Sequence, residues 1–130
     1  MKGLRRYTLP GGWTVLVGRT EADNDALSLK VAGPDDWWFH LRGMPGSHVV
    51  LRRLSGREPD GETLKKAAEI AAYFSKAREA GVVAVSCTRA RYVTKPRGAK
   101  PGTVRIRREK VLRVRPGLDG AVEETDSSSE

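Results

Sequence analysis

The sequence predicts a single α+β domain built on one mixed, largely antiparallel β-sheet with one long helix and one short helix. Three observations carry this. Short β-prone apolar blocks recur between turns rich in glycine and proline, and residues 61–80 alone carry sustained helical periodicity. A chain of 130 residues with 38% apolar content suits one core and not two.

Each element follows in order. Residues 5–9 and 13–17 flank Pro10-Gly11-Gly12 and read as a β-hairpin. In the second strand Trp13, Val15 and Val17 alternate with Thr14 and Leu16, so both faces are mostly apolar and the strand belongs inside the sheet. Asp23 or Asn24 is placed to cap a short helix reaching Val31, and Asn24 reads as a cap and not as a contact. Gly33-Pro34 then closes that helix.

Residues 36–41 form an aromatic strand, Gly43-Met44-Pro45-Gly46 turns the chain, and residues 48–51 form the next strand. After a polar loop comes the long helix over 61–80, with Leu64, Ala67, Ala68, Ala71, Phe74, Ala77 and Arg78 on or near one face. Its alanines predict close packing on the sheet. Gly81 stops it, residues 82–85 read as an internal strand, and residues 87–93 continue extended. A turn-rich basic loop over 95–102 leads to late strands at 103–107 and 111–114. Residues 1–116 are the expected domain. Residues 117–130, acidic and serine-rich, are expected to be a disordered tail that shields the basic face from non-specific contacts.

No stretch approaches the roughly 18 apolar residues of a membrane span, and the basic N-terminus leads to no apolar secretion segment. One cysteine, Cys87, excludes an intrachain disulfide and a cysteine-built metal centre, and beside an apolar strand it reads as a buried small hydrophobe. The expectation is a cytoplasmic protein without a membrane partner, metal or cofactor.

Charge gives the functional class. Between Arg89 and Arg115 stand eleven lysines and arginines against one acid, Glu109, and residues 1–116 carry 24 basic and 11 acidic side chains, a net +13. Such a body attracts a polyanion, RNA or DNA first. Arg89 and Arg91 alternate, as do Arg105 and Arg107 around Ile106, a pattern that buries aliphatics and displays guanidinium groups on one face. Lys95, Arg97 and Lys100 occupy the glycine- and proline-rich loop. These seven cations are the expected phosphate contacts.

Residues 35–48 hold both histidines and two of the three tryptophans. Strand alternation puts Trp37, Phe39 and Leu41 on one face and Asp36, Trp38, His40 and Arg42 on the other. Trp38 and His40 are candidates for stacking or a base contact, against a structural reading in which Trp38 lids the sheet and His40 is a satisfied histidine. Pro45-Gly46-Ser47 offers a hydroxyl and free amides to one phosphate. His40 and His48 with Asp36 admit a weaker alternative, a hydrolase or nuclease. A protein-binding adaptor with a basic face is a third reading.

The chain resembles the RNA-binding domain of the NFACT proteins, the fibronectin-binding-protein-like factors of ribosome-associated quality control. The resemblance rests on Gly12, Val17-Gly18-Arg19, Asn24-Asp25-Ala26-Leu27, Asp36-Trp37-Trp38-Phe39-His40 and Pro45-Gly46-Ser47-His48-Val49-Val50. It continues through the alanine-rich stretch 67–78 and Tyr92-Val93-Thr94-Lys95-Pro96-Arg97-Gly98-Ala99-Lys100-Pro101-Gly102, covering about residues 6–108 in the family's order. Asp36, Trp38, His40, Gly46, Ser47, His48, Lys95 and Lys100 match the family pattern. The resemblance implies a non-catalytic domain that helps hold tRNA and large-subunit ribosomal RNA, so Trp38, His40, Ser47 and His48 join the seven cations as expected RNA contacts. Complete members also carry an N-terminal domain, a helix-hairpin-helix region and a long coiled coil, which 130 residues cannot hold. The expectation is a stand-alone copy, or a partner of proteins supplying those parts.

Overall fold

The computed structural model describes residues 3–124. In chain order the elements are β1 (Leu4–Leu9), β2 (Trp13–Gly18), α1 (Glu21–Ala26), a π-helical turn (Leu27–Val31), β3 (Trp37–Leu41), β4 (Val49–Leu51) and α2 (Gly61–Tyr73). Then come β5 (Val83–Arg89), a 3-10 turn (Ala90–Tyr92), β6 (Val93–Thr94), β7 (Arg105–Ile106), β8 (Lys110–Val114) and β9 (Val122–Glu123). Seven strands form one sheet in the order β8-β5-β3-β4-β2-β1-β9, and β6 pairs with β7 apart from it. Every pairing among the described residues is antiparallel.

The sheet is covered on both faces. On one, Val15, Val17, Phe39, Val49, Val85 and Cys87 meet Leu64, Ala67, Ala68, Ile70 and Ala71 of α2. The alanines are wholly buried, and their small side chains bring the helix backbone close to the strands. On the other face Leu16, Trp38 and Val50 pack with Leu27 and Val93, with Val104 and Ile106 against them. Burying each large apolar side chain contributes about 1.5–3 kcal/mol, so the small hairpin β6–β7 is held by packing although its two-residue ladder is short. The interior place expected for β2 is observed, between β4 and β1.

Four local expectations are corrected. The long helix ends at Tyr73, not at 80, because the following backbone is taken up by tertiary pairing. Phe74 leaves the helical region at ψ 48°, its carbonyl accepts the Ser47 N–H at 2.9 Å, and the Lys76 N–H reaches the Pro45 carbonyl at 3.1 Å. Gly46 sits against Ser75 so closely that an added Cβ would lie 2.8 Å from the serine Cβ.

The short helix is capped by Thr20, whose Oγ1 accepts the Asp23 N–H at 3.0 Å while Asp23 returns the bond in a capping box. Asn24 is therefore inside the helix and not its cap, and its buried side chain accepts the His48 N–H. The expected extended run over 87–93 is broken by the 3-10 turn, whose Ala90 and Arg91 N–H groups bond the Asp36 and Pro34 carbonyls.

The described part of the expected tail, through Glu124, lies against the domain. Leu118 and Ala121 pack on the core, β9 pairs with β1, and Glu123 and Glu124 pair with Arg5 and Arg6. It lies at the opposite sheet edge from β8. The remainder of the expected tail, 125–130, lies outside the described residues.

Candidate nucleic-acid interface

The basic run becomes three things: the end of β5, the hairpin β6–β7 with its 95–104 connection, and the edge strand β8. The connection is docked on α1. Asp25 Oδ1 accepts the Gly102 N–H at 2.9 Å, and Lys95 Nζ lies 3.0 Å from Asp25 Oδ2. The same ammonium donates to the carbonyls of Thr103, at 3.1 Å, and Lys100. Burial pushes the Asp25 carboxyl up, but the bonds from Lys95 and Gly102 outweigh it and hold its pKa below the ordinary value. Gly102 has φ +87°, and a Cβ there would lie 2.6 Å from Glu21 Oε1, so only glycine fits.

Beneath the loop runs a buried polar chain. Trp38 Nε1 donates to Ser28 Oγ at 2.8 Å, and Ser28 Oγ lies 2.8 Å from His48 Nδ1. An indole N–H only donates, so Ser28 Oγ accepts from Trp38, and the direction of the bond between Oγ and His48 Nδ1 is set by the imidazole tautomer. The His48 N–H donates to Asn24 Oδ1 at 3.0 Å. Burial, with His40 adding to it, pushes the His48 pKa down to about 4. A Cβ at Gly18 would meet Asn24 Oδ1 at 2.0 Å, which explains the glycine there.

Two expected contacts are thereby corrected. Trp38 is 2% exposed and stacks on no ligand from that position; His48 is likewise 2% exposed and serves as a strut. Alternation had put Trp38 on the correct face, but that face is covered by α1, the π turn and β6–β7. His40 is half-buried, stacked beside Trp38 and edge-on to His48, and burial lowers its pKa. Asp36 accepts the Gly33 and Arg53 N–H groups at 2.8 and 2.7 Å and pairs with Arg52 at 3.2 Å. None of its bonds reaches a histidine, so the hydrolytic grouping is not assembled. Among the described residues no cluster of three or more histidine, cysteine or acidic side chains could hold a metal. Burial pushes the Cys87 thiol up to about 12.

The seven expected cations divide into two groups. Arg89 is stacked 4.0 Å over Trp37, bonded to the Asp35 carbonyl and paired with Glu58 at 2.8 Å. Arg91 pairs with Asp35, and Lys95 is the clip on Asp25. In contrast Arg97, Lys100, Arg105 and Arg107 are exposed and have no ion pair among the described residues. Val104 and Ile106 point to the core between them, as the alternation predicts. Arg107 and Arg108 flank the Tyr92 ring at 5.6 and 5.4 Å.

Sequence reasoning missed a second basic surface. A cleft of about 790 Å³ opens between the start of α1, the 43–47 turn, the 74–78 turn and Gly102. Arg19, Lys76 and Arg78 line it, with His40 and Ser47. Lys76 was hidden by its assignment to the long helix, although it lies in the stretch that carries the family resemblance.

The family model for the NFACT protein RNA-binding domain matches residues 4–108. The chain is 44% identical over 119 residues, 92% of its length, to the Rqc2 homolog RqcH of Bacillus subtilis, and 44% identical over 115 residues to that of Streptococcus suis. It spans 20% of the length of each of these relatives. The C-terminal fibronectin/fibrinogen-binding protein structure from Streptococcus suis superposes with a TM-score of 0.84 at 41% identity, covering 92% of this chain and 48% of that one.

Proposed function

The chain belongs to the NFACT RNA-binding domain family, and from that premise we propose that it is a non-catalytic module binding tRNA, large-subunit ribosomal RNA or both in ribosome-associated quality control. The observation that carries the reading is the set Arg97, Lys100, Arg105 and Arg107, exposed and without an ion pair among the described residues, on a hairpin whose position is fixed by Asp25, Lys95 and Gly102. A held cationic surface meets phosphates without losing loop entropy on binding.

Its work belongs in the cytoplasm, with tRNA and large-subunit ribosomal RNA as its partners. The curated relatives are named as Rqc2 homologs, and this chain matches one fifth of their length, so the activity of those whole proteins is not transferred to it. Crosslinking in cells followed by sequencing of the attached RNA tests the reading. Enrichment of tRNA and large-subunit RNA is expected; enrichment of neither, or retention of an acidic protein that tRNA does not displace, would favour an adaptor instead.

A further inference from the structure

The cleft beside the basic hairpin differs from it in chemistry. Its walls combine apolar and cationic groups: Met44, 46% exposed, Pro45 and Phe74 stand with Arg19, Lys76 and Arg78. One acid, Glu21, is on the lining, and its carboxylate lies against Gly102. Arg19, Lys76 and Arg78 have no ion pair among the described residues. Arg78 is nevertheless held, its guanidinium 4.0 Å over the Tyr73 ring and its Nε donating to the Tyr73 carbonyl at 2.7 Å. That leaves its terminal N–H groups free in a fixed place.

His40 reaches the cleft from the sheet, its ring packed against Trp38 and His48. A neutral imidazole has one donor and one acceptor, and part of its edge remains for a ligand. Gly43, at φ +80°, leaves open space where a side chain would stand. The cleft's size falls in the range of about 300–1,000 Å³ typical of small-ligand sites. A flat apolar wall, a half-buried hydrogen-bonding edge and unpaired cations at the rim match the three parts of a nucleotide: base face, base edge and phosphate. A paired base inside a helix presents none of its face, so the occupant has to be unpaired.

We infer that this cleft takes one unpaired nucleotide of an RNA loop or single-stranded end, with the phosphate against Arg19, Lys76 and Arg78 and the base against Met44, Phe74 and His40. The inference rests on the RNA-binding reading and divides the work: the hairpin β6–β7 holds the backbone of structured RNA, and the cleft selects for a flexible nucleotide beside it.

The test compares the whole chain with Met44→Ala combined with Lys76→Gln, both exposed changes checked by thermal melting, on three RNAs. These are a hairpin with a single-stranded loop, a duplex with a 3′ overhang, and a blunt duplex. The cleft variant should lose about tenfold in affinity for the loop, the overhang or both, and bind the blunt duplex as before. Which of the first two is affected identifies the source of the nucleotide. Equal losses on all three RNAs, or none, would overturn the cleft assignment while leaving the hairpin reading standing. Failure of the unaltered chain to bind any of the three would overturn both. A photoreactive unpaired base should crosslink to peptide 43–48 or 74–78, and crosslinking only to 97–107 would contradict the inference.

Discussion

Asp25 holds the basic loop by both carboxylate oxygens, one accepting the Gly102 N–H at 2.9 Å and the other 3.0 Å from Lys95 Nζ. One residue of a six-residue helix thus fixes the position of a loop far along the chain. Lys95, which composition alone marks as a phosphate ligand, spends its charge on this docking.

Asp25→Ala should therefore release the loop without unfolding the domain. Leaving a backbone N–H and an ammonium without their partner costs about 1–3 kcal/mol locally. Hydrogen exchange at the Gly102 amide should accelerate and tRNA affinity should fall several-fold. Unchanged protection of Gly102 would show that the carboxylate does not hold the loop.

Ser28→Ala removes the link between Trp38 and His48 and leaves two buried nitrogens without partners. The expected loss is about 2–4 kcal/mol of global stability, read by denaturant titration. A loss below ~0.5 kcal/mol, the level of an ordinary surface change, would contradict the network.

Stability should also depend on pH. In the unfolded chain His48 takes up a proton near pH 6.5, whereas folded it resists to about pH 4. Between these values the unfolded state binds more protons, so stability is full above the window and falls as pH drops through it. His40, also lowered by burial, adds in the same direction. His48→Asn, which keeps a hydrogen-bonding side chain for Ser28, should flatten the melting-temperature profile over that window; a slope as steep as that of the unaltered chain would place the proton uptake elsewhere.

Arg91→Gln and Arg107→Gln form a matched pair. Arg91 is paired with Asp35, and Arg107 has no ion pair among the described residues. Arg107→Gln should lower the salt dependence of RNA binding by about 1, the share of one phosphate contact, and Arg91→Gln should leave it unchanged. Equal effects would return Arg91 to the interface.

The elements read well from the sequence where a single periodicity decides them. Alternation in β3 sent Phe39 and Leu41 to one face and Trp38 to the other, and the alanine stripe of α2 marked the helix that lies against the sheet. What failed depended on distant partners. No local signal reveals that Phe74 and Lys76 will pair with the 45–47 turn, so helical periodicity ran past the true end. The basic run looked uniform because Glu58, Asp35 and Asp25, which neutralise Arg89, Arg91 and Lys95, lie far from it in sequence. Trp38 was a candidate for stacking because nothing local announces that its face is covered. The cleft was missed for the same reason: it is assembled from four separate segments.

The most direct test of the account is the salt dependence of tRNA affinity when Arg97, Lys100, Arg105 and Arg107 are changed together to glutamine. If these four meet the phosphates, the slope of log affinity against log salt should fall by up to about 4 while melting behaviour holds. A slope equal to that of the unaltered chain would mean that RNA binds elsewhere on the domain and would contradict the account.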